Sequence, residues 1–215
     1  MQKQRRANQR HHNAQLGPVS ITQVTDMGRV YSLDQIAALS AVARDFGQPM
    51  HMDGARFANA CAFLGGSAAE TAGPVDALSF GCVKNGGMSA EAIIFFDTEL
   101  ADVARYRRKR AGHLQSKGRY LAAQLLAMLQ DDLWLRNARA ANGAAQEIAG
   151  AAGNRLMHAV EANEIFLSCS ASERGALRKQ GFDFYDWGDD AARLVTAWNT
   201  PQEHATLLAK AIASL

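Results

Sequence analysis

His51-Met52-Asp53-Gly54-Ala55-Arg56 and, about thirty residues on, Ser79-Phe80-Gly81-Cys82-Val83-Lys84-Asn85-Gly86-Gly87 decide how this chain is read. The first closes a short apolar run on an aspartate. The second closes another on a lysine among small residues. Short apolar runs bounded by glycines read as buried strands when helical patterns separate them. Residues 19–25 alternate apolar and polar and are rich in β-branched side chains, which predicts a strand. Ser32 or Asp34 opens a predicted helix with Ile36, Leu39, Val42 and Ala43 at helical spacing, running through Phe46 to a stop at Gly47. A strand is expected at 49–53, a helix at 55–64 ending on Gly65-Gly66, and strands at 76–80 and 92–96 across a Gly-rich link. This alternation implies an α/β fold with a mostly parallel sheet covered by helices.

The pattern changes after Thr98. Helical spacing dominates residues 99–150, where Leu121, Leu125, Leu126 and Leu129 form an apolar stripe. A strand at 164–169, a helix at 171–180, a strand at 194–198 and a closing helix from Pro201 are expected to follow. Separated strands and helices of this kind predict a small α+β domain. Residues 1–17 are polar, without periodicity, and read as a disordered tail. The expected organisation is therefore 1–17 tail, 18–114 large-domain part and 115–215 small domain.

At 215 residues and 48% hydrophobic, the chain has enough apolar mass for a real core. No run approaches the roughly twenty apolar residues that cross a bilayer, so no membrane partner is expected. Three cysteines, Cys61, Cys82 and Cys169, are odd in number and widely spaced. They fit buried reduced thiols in a cytoplasmic protein and resemble no zinc or disulfide framework. Residues 1–12 hold four Lys/Arg, two His and no acid, and residues 105–119 hold seven Lys/Arg and no acid. Beyond Tyr106 and Tyr120 neither run interleaves aromatics in a stacking pattern, so a tail and a solvated helix face are expected rather than a nucleic-acid surface.

An aspartate at a strand end lies on the rim where open α/β sheets bind ligands, but Asp53 alone could equally cap the helix that follows. Lys84 alone reads as a loop lysine. Together, the two supply what pyridoxal phosphate requires. An amine forms an imine with the cofactor aldehyde, and a carboxylate keeps the pyridine nitrogen protonated so that the ring accepts electrons.

The wording around both, His-Met-Asp-Gly-Ala-Arg-Phe-Ala-Asn-Ala and Leu-Ser-Phe-Gly-x-x-Lys-Asn-Gly, resembles the threonine aldolase and β-eliminating lyase family of fold type I pyridoxal-phosphate enzymes. The resemblance runs on through Ser20–Thr25, 107–114, Leu121–Gln124, 131–134, Glu161–Glu164, 185–188 and 193–196. It implies a retro-aldol cleavage of threonine or allo-threonine to glycine and an aldehyde, with pyridoxal 5'-phosphate as cofactor. By resemblance, Lys84 is the catalytic, cofactor-bearing lysine, favoured as a nucleophile by partial desolvation. Asp53 holds the pyridine nitrogen and Arg56 contacts the cofactor. Arg193 clamps the substrate carboxylate with its planar fork, unless it merely pairs with Asp189 or Asp190. Arg110 and Lys117 fall where such enzymes reach a neighbouring subunit's cofactor phosphate, implying a homodimer or homotetramer; a solvated helix surface is the other reading. His51 is expected to pack beside the site, and His113 is open to either role.

Members of that family carry a long segment ahead of the position of Val19, with a Gly-rich phosphate loop and a ring stacked on the pyridine. Residues 1–17 hold neither. The chain is therefore expected to be the C-terminal part of such an enzyme, with an inactive fragment that associates with other subunits as the alternative.

Overall fold

The computed structural model describes residues 16–215. The expectation for the tail at 1–17 lies, up to residue 15, outside the described residues.

The first sheet is built from β1 (Val19–Thr22), β2 (Met50–Gly54), β3 (Ala77–Phe80) and β4 (Ala92–Phe95), side by side in that order. β1–β2 and β2–β3 are parallel, while β4 returns antiparallel on the edge. Between these strands lie α1 (Leu33–Asp45), α2 (Phe57–Leu64) and α3 (Ala68–Ala72). Of the two expected openers, Ser32 is the cap of α1, and it forms a reciprocal pair with Gln35. Ser67 and Glu70 do the same for α3, a helix that the sequence reading lacked.

The period-two alternation sorts this sheet into two faces. Ile21, Met52 and Leu78 form one buried row across three strands, flanked by Met50 and Phe80. They pack on Ile36 and Ala43 of α1, Phe57, Ala58 and Cys61 of α2, and Trp134. Phe57 stacks on Trp134 with centroids 6.5 Å apart, and Phe80 meets the same indole edge-on at 5.7 Å. The other face carries Ser20, Thr22, His51, Asp53 and Ser79. Here His51 is hydrogen-bonded to both Ser20 Oγ and Ser79 Oγ at 2.9 Å, tying three strands together.

The expected helical stretch at 99–150 is three helices: α4 (Thr98–Arg110), α5 (Arg119–Leu129) and α6 (Leu133–Ala152). Gly112, at φ 77°, and the positive φ values of Asp131 and Asp132 mark the two breaks. α4 buries none of its residues. On α5 the stripe divides: Leu125 is half-buried against the first core beside the buried Met128, whereas Leu126 and Leu129 are exposed.

α6 is a shared strut. Trp134 and Ala138 belong to the first core, and Ala144, Ala145, Ile148, Ala149 and Ala152 to the second. That second core lies under an antiparallel sheet of β5 (Glu164–Ser168), β7 (Ala191–Val195) and β6 (Tyr185–Asp186), in the order β5-β7-β6. α7 (Ala171–Lys179) and α8 (Gln202–Ala213) complete it. β7 begins three residues before the expected 194–198, because the turn through Gly188, at φ 63°, already reverses the chain. β6 is a two-residue strand, too short to show a period.

Candidate active site

Two glycines bring the two decisive stretches together. A Cβ on Gly54 would stand 2.7 Å from the Ser79 carbonyl oxygen, and one on Gly81 would stand 2.7 Å from the Ala55 Cα. The ends of β2 and β3 therefore touch backbone to backbone, and Gly81 N–H donates to the Gly54 carbonyl at 3.1 Å. Asp53 and the lysine turn are thereby held at one rim of the sheet, beyond the carboxyl ends of its parallel strands.

Lys84 sits in a 3₁₀ turn, Val83–Asn85, that is fastened on several sides. The Glu91 carboxylate accepts the Cys82 and Val83 amides, each at 3.1 Å. Asn85 is buried, donates to the Trp134 carbonyl at 2.8 Å and accepts from Asn137 Nδ2 at 2.9 Å. Gly86 leaves the turn at φ 104°, a conformation that favours glycine, against the Trp198 ring. The backbone is fixed while the Lys84 residue is exposed. Lys84 is thus an exposed residue that also lines a cleft. Its neighbour Cys82 is buried, and burial, with Glu91 second, pushes its thiol up to about 11, which makes it core filling rather than a nucleophile.

A cleft of about 290 Å³ joins these elements, close to the lower end of the roughly 300–1,000 Å³ usual for small-molecule sites. It is lined by Asp53, Arg56, Lys84 and Arg193, by the end of β1 and the loop after it, and by Glu164 and Trp187. Asp53 Oδ1 accepts the Ala55 amide at 2.9 Å, so part of the capping reading holds, although Arg56 and not Asp53 occupies the cap position of α2. Arg56 makes no side-chain cap. Its Nε is buried without a hydrogen-bond partner, and its Nη2 stands 3.3 Å from Glu164 Oε1. Burial pushes this guanidinium down; Glu164 opposes the shift and Arg193 adds to it.

Arg193 projects from β7 and donates to Glu164 through Nε at 3.1 Å and also through Nη2. Its partner is thus Glu164, not Asp189 or Asp190. Those two lie in the turn before β7, where the Asp189 carbonyl accepts from Arg174. Glu164 is the residue that sequence reasoning missed. A Glu as the first residue of a run otherwise apolar, Glu-Ile-Phe-Leu, was the available signal. Trp187 closes one side and meets Phe166 edge-on at 5.1 Å.

The loop after β1 is held by Gln23, whose amide group donates to the Tyr31 carbonyl and accepts the Tyr31 amide, both at 3.0 Å. Arg29 and the Val30 amide both bind Glu161 at 2.7 Å, which fastens that loop to the segment leading into β5. Arg110 and Lys117 lie outside the cleft, exposed at and beyond the end of α4. His51 is absent from the lining and His113 is exposed. Among the described residues no cluster of His, Cys, Asp and Glu could hold a metal ion, and no helix is long and apolar enough to cross a membrane.

Comparison with known proteins agrees with this architecture. The low specificity L-threonine aldolase of Pseudomonas aeruginosa is 46% identical over 201 residues, which are 90% of this chain and 58% of that protein. That of a second Pseudomonas strain is 44% identical over 198 residues, 89% of this chain and 57% of its own length. The chain thus spans little more than half the length of these relatives. Among solved structures, the threonine aldolase of Leishmania major superposes with a TM-score of 0.88 at 25% identity, over 96% of this chain and 63% of that one. An aminotransferase from Staphylococcus aureus shares the fold at a TM-score of 0.72 and 11% identity, over 94% of this chain and 58% of that one. The model of the beta-eliminating lyase family matches residues 1–172, and with the aspartate and lysine turns meeting at one rim of the sheet, this chain belongs to that family.

Proposed function

We propose that this chain carries the covalent lysine and the substrate clamp of a pyridoxal-phosphate-dependent aldolase, one that cleaves threonine-type β-hydroxy-α-amino acids to glycine and an aldehyde. One observation carries the reading: Asp53, Arg56, Lys84 and Arg193, scattered over 140 positions of sequence, line a single cleft. The donor set fits the cofactor. A primary amine, a carboxylate at a strand end and two guanidinium groups share the cleft, and the Arg56 Nε there is a buried donor without a partner. The relatives that cover most of this chain are themselves named threonine aldolases.

When bound, pyridoxal phosphate supplies the electron sink for the pair released as the Cα–Cβ bond breaks. Asp53 would hold the proton on the ring nitrogen through its carboxylate. Lys84 would hold the cofactor covalently and, once the substrate amine displaces it, would stand free to carry a proton. Arg56 would contact the cofactor from the start of α2. Arg193 would bind the α-carboxylate of the substrate, orienting it by a charge-assisted fork. Added pyridoxal phosphate is expected to give an absorbance at the border of visible and ultraviolet light, lost in Lys84→Ala. Borohydride reduction followed by peptide mass spectrometry should find the adduct at Lys84. No lysine adduct after trapping would overturn the reading.

The working form we propose is a homodimer or homotetramer in the cytoplasm, with Arg110 and Lys117 directed to a neighbouring subunit's cofactor phosphate. The exposure of α4 and the absence of buried residues along it support this. We keep the division at residue 115 into a large-domain part and a small domain, with α6 packing on both. The exposure of Lys84 favours a second reading, in which the chain binds cofactor and associates with other subunits but does not turn over alone. Steady-state cleavage of allo-threonine by the isolated chain would exclude that second reading.

A further inference from the structure

Glu164 opens β5 and is 2% exposed. Its Oε1 receives Arg193 Nε at 3.1 Å, Arg193 Nη2, and Arg56 Nη2 at 3.3 Å. Its backbone is paired in register with Val195, and the Gly28 loop packs on it so closely that a Cβ there would stand 3.1 Å from Glu164 Cβ. The carboxylate is therefore held in place from both sides. Two guanidinium groups this close repel each other, and one carboxylate between them offsets part of that repulsion. Taken by itself the cluster of three carries a single net positive charge, beside the unpartnered donor of Arg56, and it shares the cleft with Lys84 and with the carboxylates of Asp53 and Asp26, the latter acting on Arg56.

We propose that Glu164 is a positioning residue: it pins the Arg193 fork beside Arg56 and holds that cluster at one net positive charge, so the cleft takes an amino acid with one carboxylate and disfavours a dicarboxylate. This rests on the reading that Arg193 receives the substrate carboxylate. A buried ion pair that served only to join β7 to α2 would have no effect on that discrimination.

The test titrates the full chain with acetate and with malonate, following the arginine Nε–H resonances by nitrogen-15 NMR, in the wild type and in Glu164→Gln. In the wild type, acetate should move the Arg193 and Arg56 resonances, and malonate should bind no more tightly. In Glu164→Gln, malonate should gain on acetate by about tenfold, the scale of one charge partly screened by water. A folded Glu164→Gln with an unchanged ratio overturns the proposal. So does a wild-type Arg193 resonance that answers to neither anion, a result that needs no variant to fold. Trapping at Lys84 is a separate measurement. Loss of the adduct with the ratio change intact defeats the aldolase reading and supports the charge assignment; an adduct without the ratio change defeats the assignment alone.

Discussion

The two sheets of this molecule are covered to different degrees. In the second, Ile165, Phe166 and Leu167 of β5 are all buried, enclosed by α6, α7 and α8. In the first, the strand at the edge leaves Ile93 63% and Ile94 39% exposed, with Phe96 open beside them. Ile94 continues the row Ile21, Met52 and Leu78, yet the helices that cover that row stop short of it. The site residues divide along the same line. Arg193 and Glu164 stand on the second sheet and pair with each other, whereas Lys84 stands in the turn after β3 of the first, an exposed residue. The β5 row is closed by its own helices, while the β4 edge of the first sheet leaves apolar side chains exposed, and the cleft draws residues from both.

Four measurements break or sharpen that contrast. The largest effect is expected in the enclosed core: Leu167→Ala should lower stability by about 2–5 kcal/mol in urea unfolding, since a fully buried leucine leaves a cavity. Ile93→Thr on the open strand should change it by less than about 0.5 kcal/mol and reduce aggregation. Equal costs at the two positions would remove the contrast. Next is Gly81→Ala, which drives a methyl into the Ala55 backbone and should cost about 1–3 kcal/mol while slowing adduct formation at Lys84. A stable Gly81→Ala with normal trapping would show that the close approach of the two turns is dispensable.

The thiols offer a gentler probe. Burial pushes Cys61 and Cys82, both in the first core, up to about 11. A raised acid is protonated more strongly in the folded state. Its stabilisation is therefore full below the ordinary thiol value of 9.0 and is lost as pH rises through about 11. Alkaline unfolding followed by alkylation should label Cys61 and Cys82 before Cys169, which lies in the second core. The reverse order would contradict the contrast. The smallest effect is expected at Arg110→Glu and Lys117→Glu, on exposed positions: the urea midpoint should stay unchanged while retained cofactor falls. Unaltered retention, read from absorbance after gel filtration, would remove those residues from the proposed site.

Much of this was legible beforehand because the signals were local. Ser32 or Asp34 announced a helix, glycines marked the stops of α1 and α2, and alternation in β1 with short apolar runs after it placed β1 to β4 within a few residues. The Ser67–Glu70 cap of α3 was equally local and was overlooked. β6 gave no signal of its own, since two residues carry no period and its pairing with β7 is set by the turn between them. The stripe on α5 held only in part, because apolar spacing identifies a face without identifying what covers it; Leu125 packs on the core beside Met128, while Leu126 and Leu129 do not.

The sequence by itself determined the family, the alternation of strands and helices, and the Asp53 and Lys84 turns, because each is written in a few neighbouring residues. The tertiary structure alone decided that Lys84 is open to solvent and that Arg193 answers to Glu164 rather than to Asp189 or Asp190. It also decided that Arg56 shares that carboxylate from the start of α2, beyond the end of β2. Charges so far apart in the chain interact only through space, so their pairing depends on how two sheets pack and on no spacing that a sequence displays.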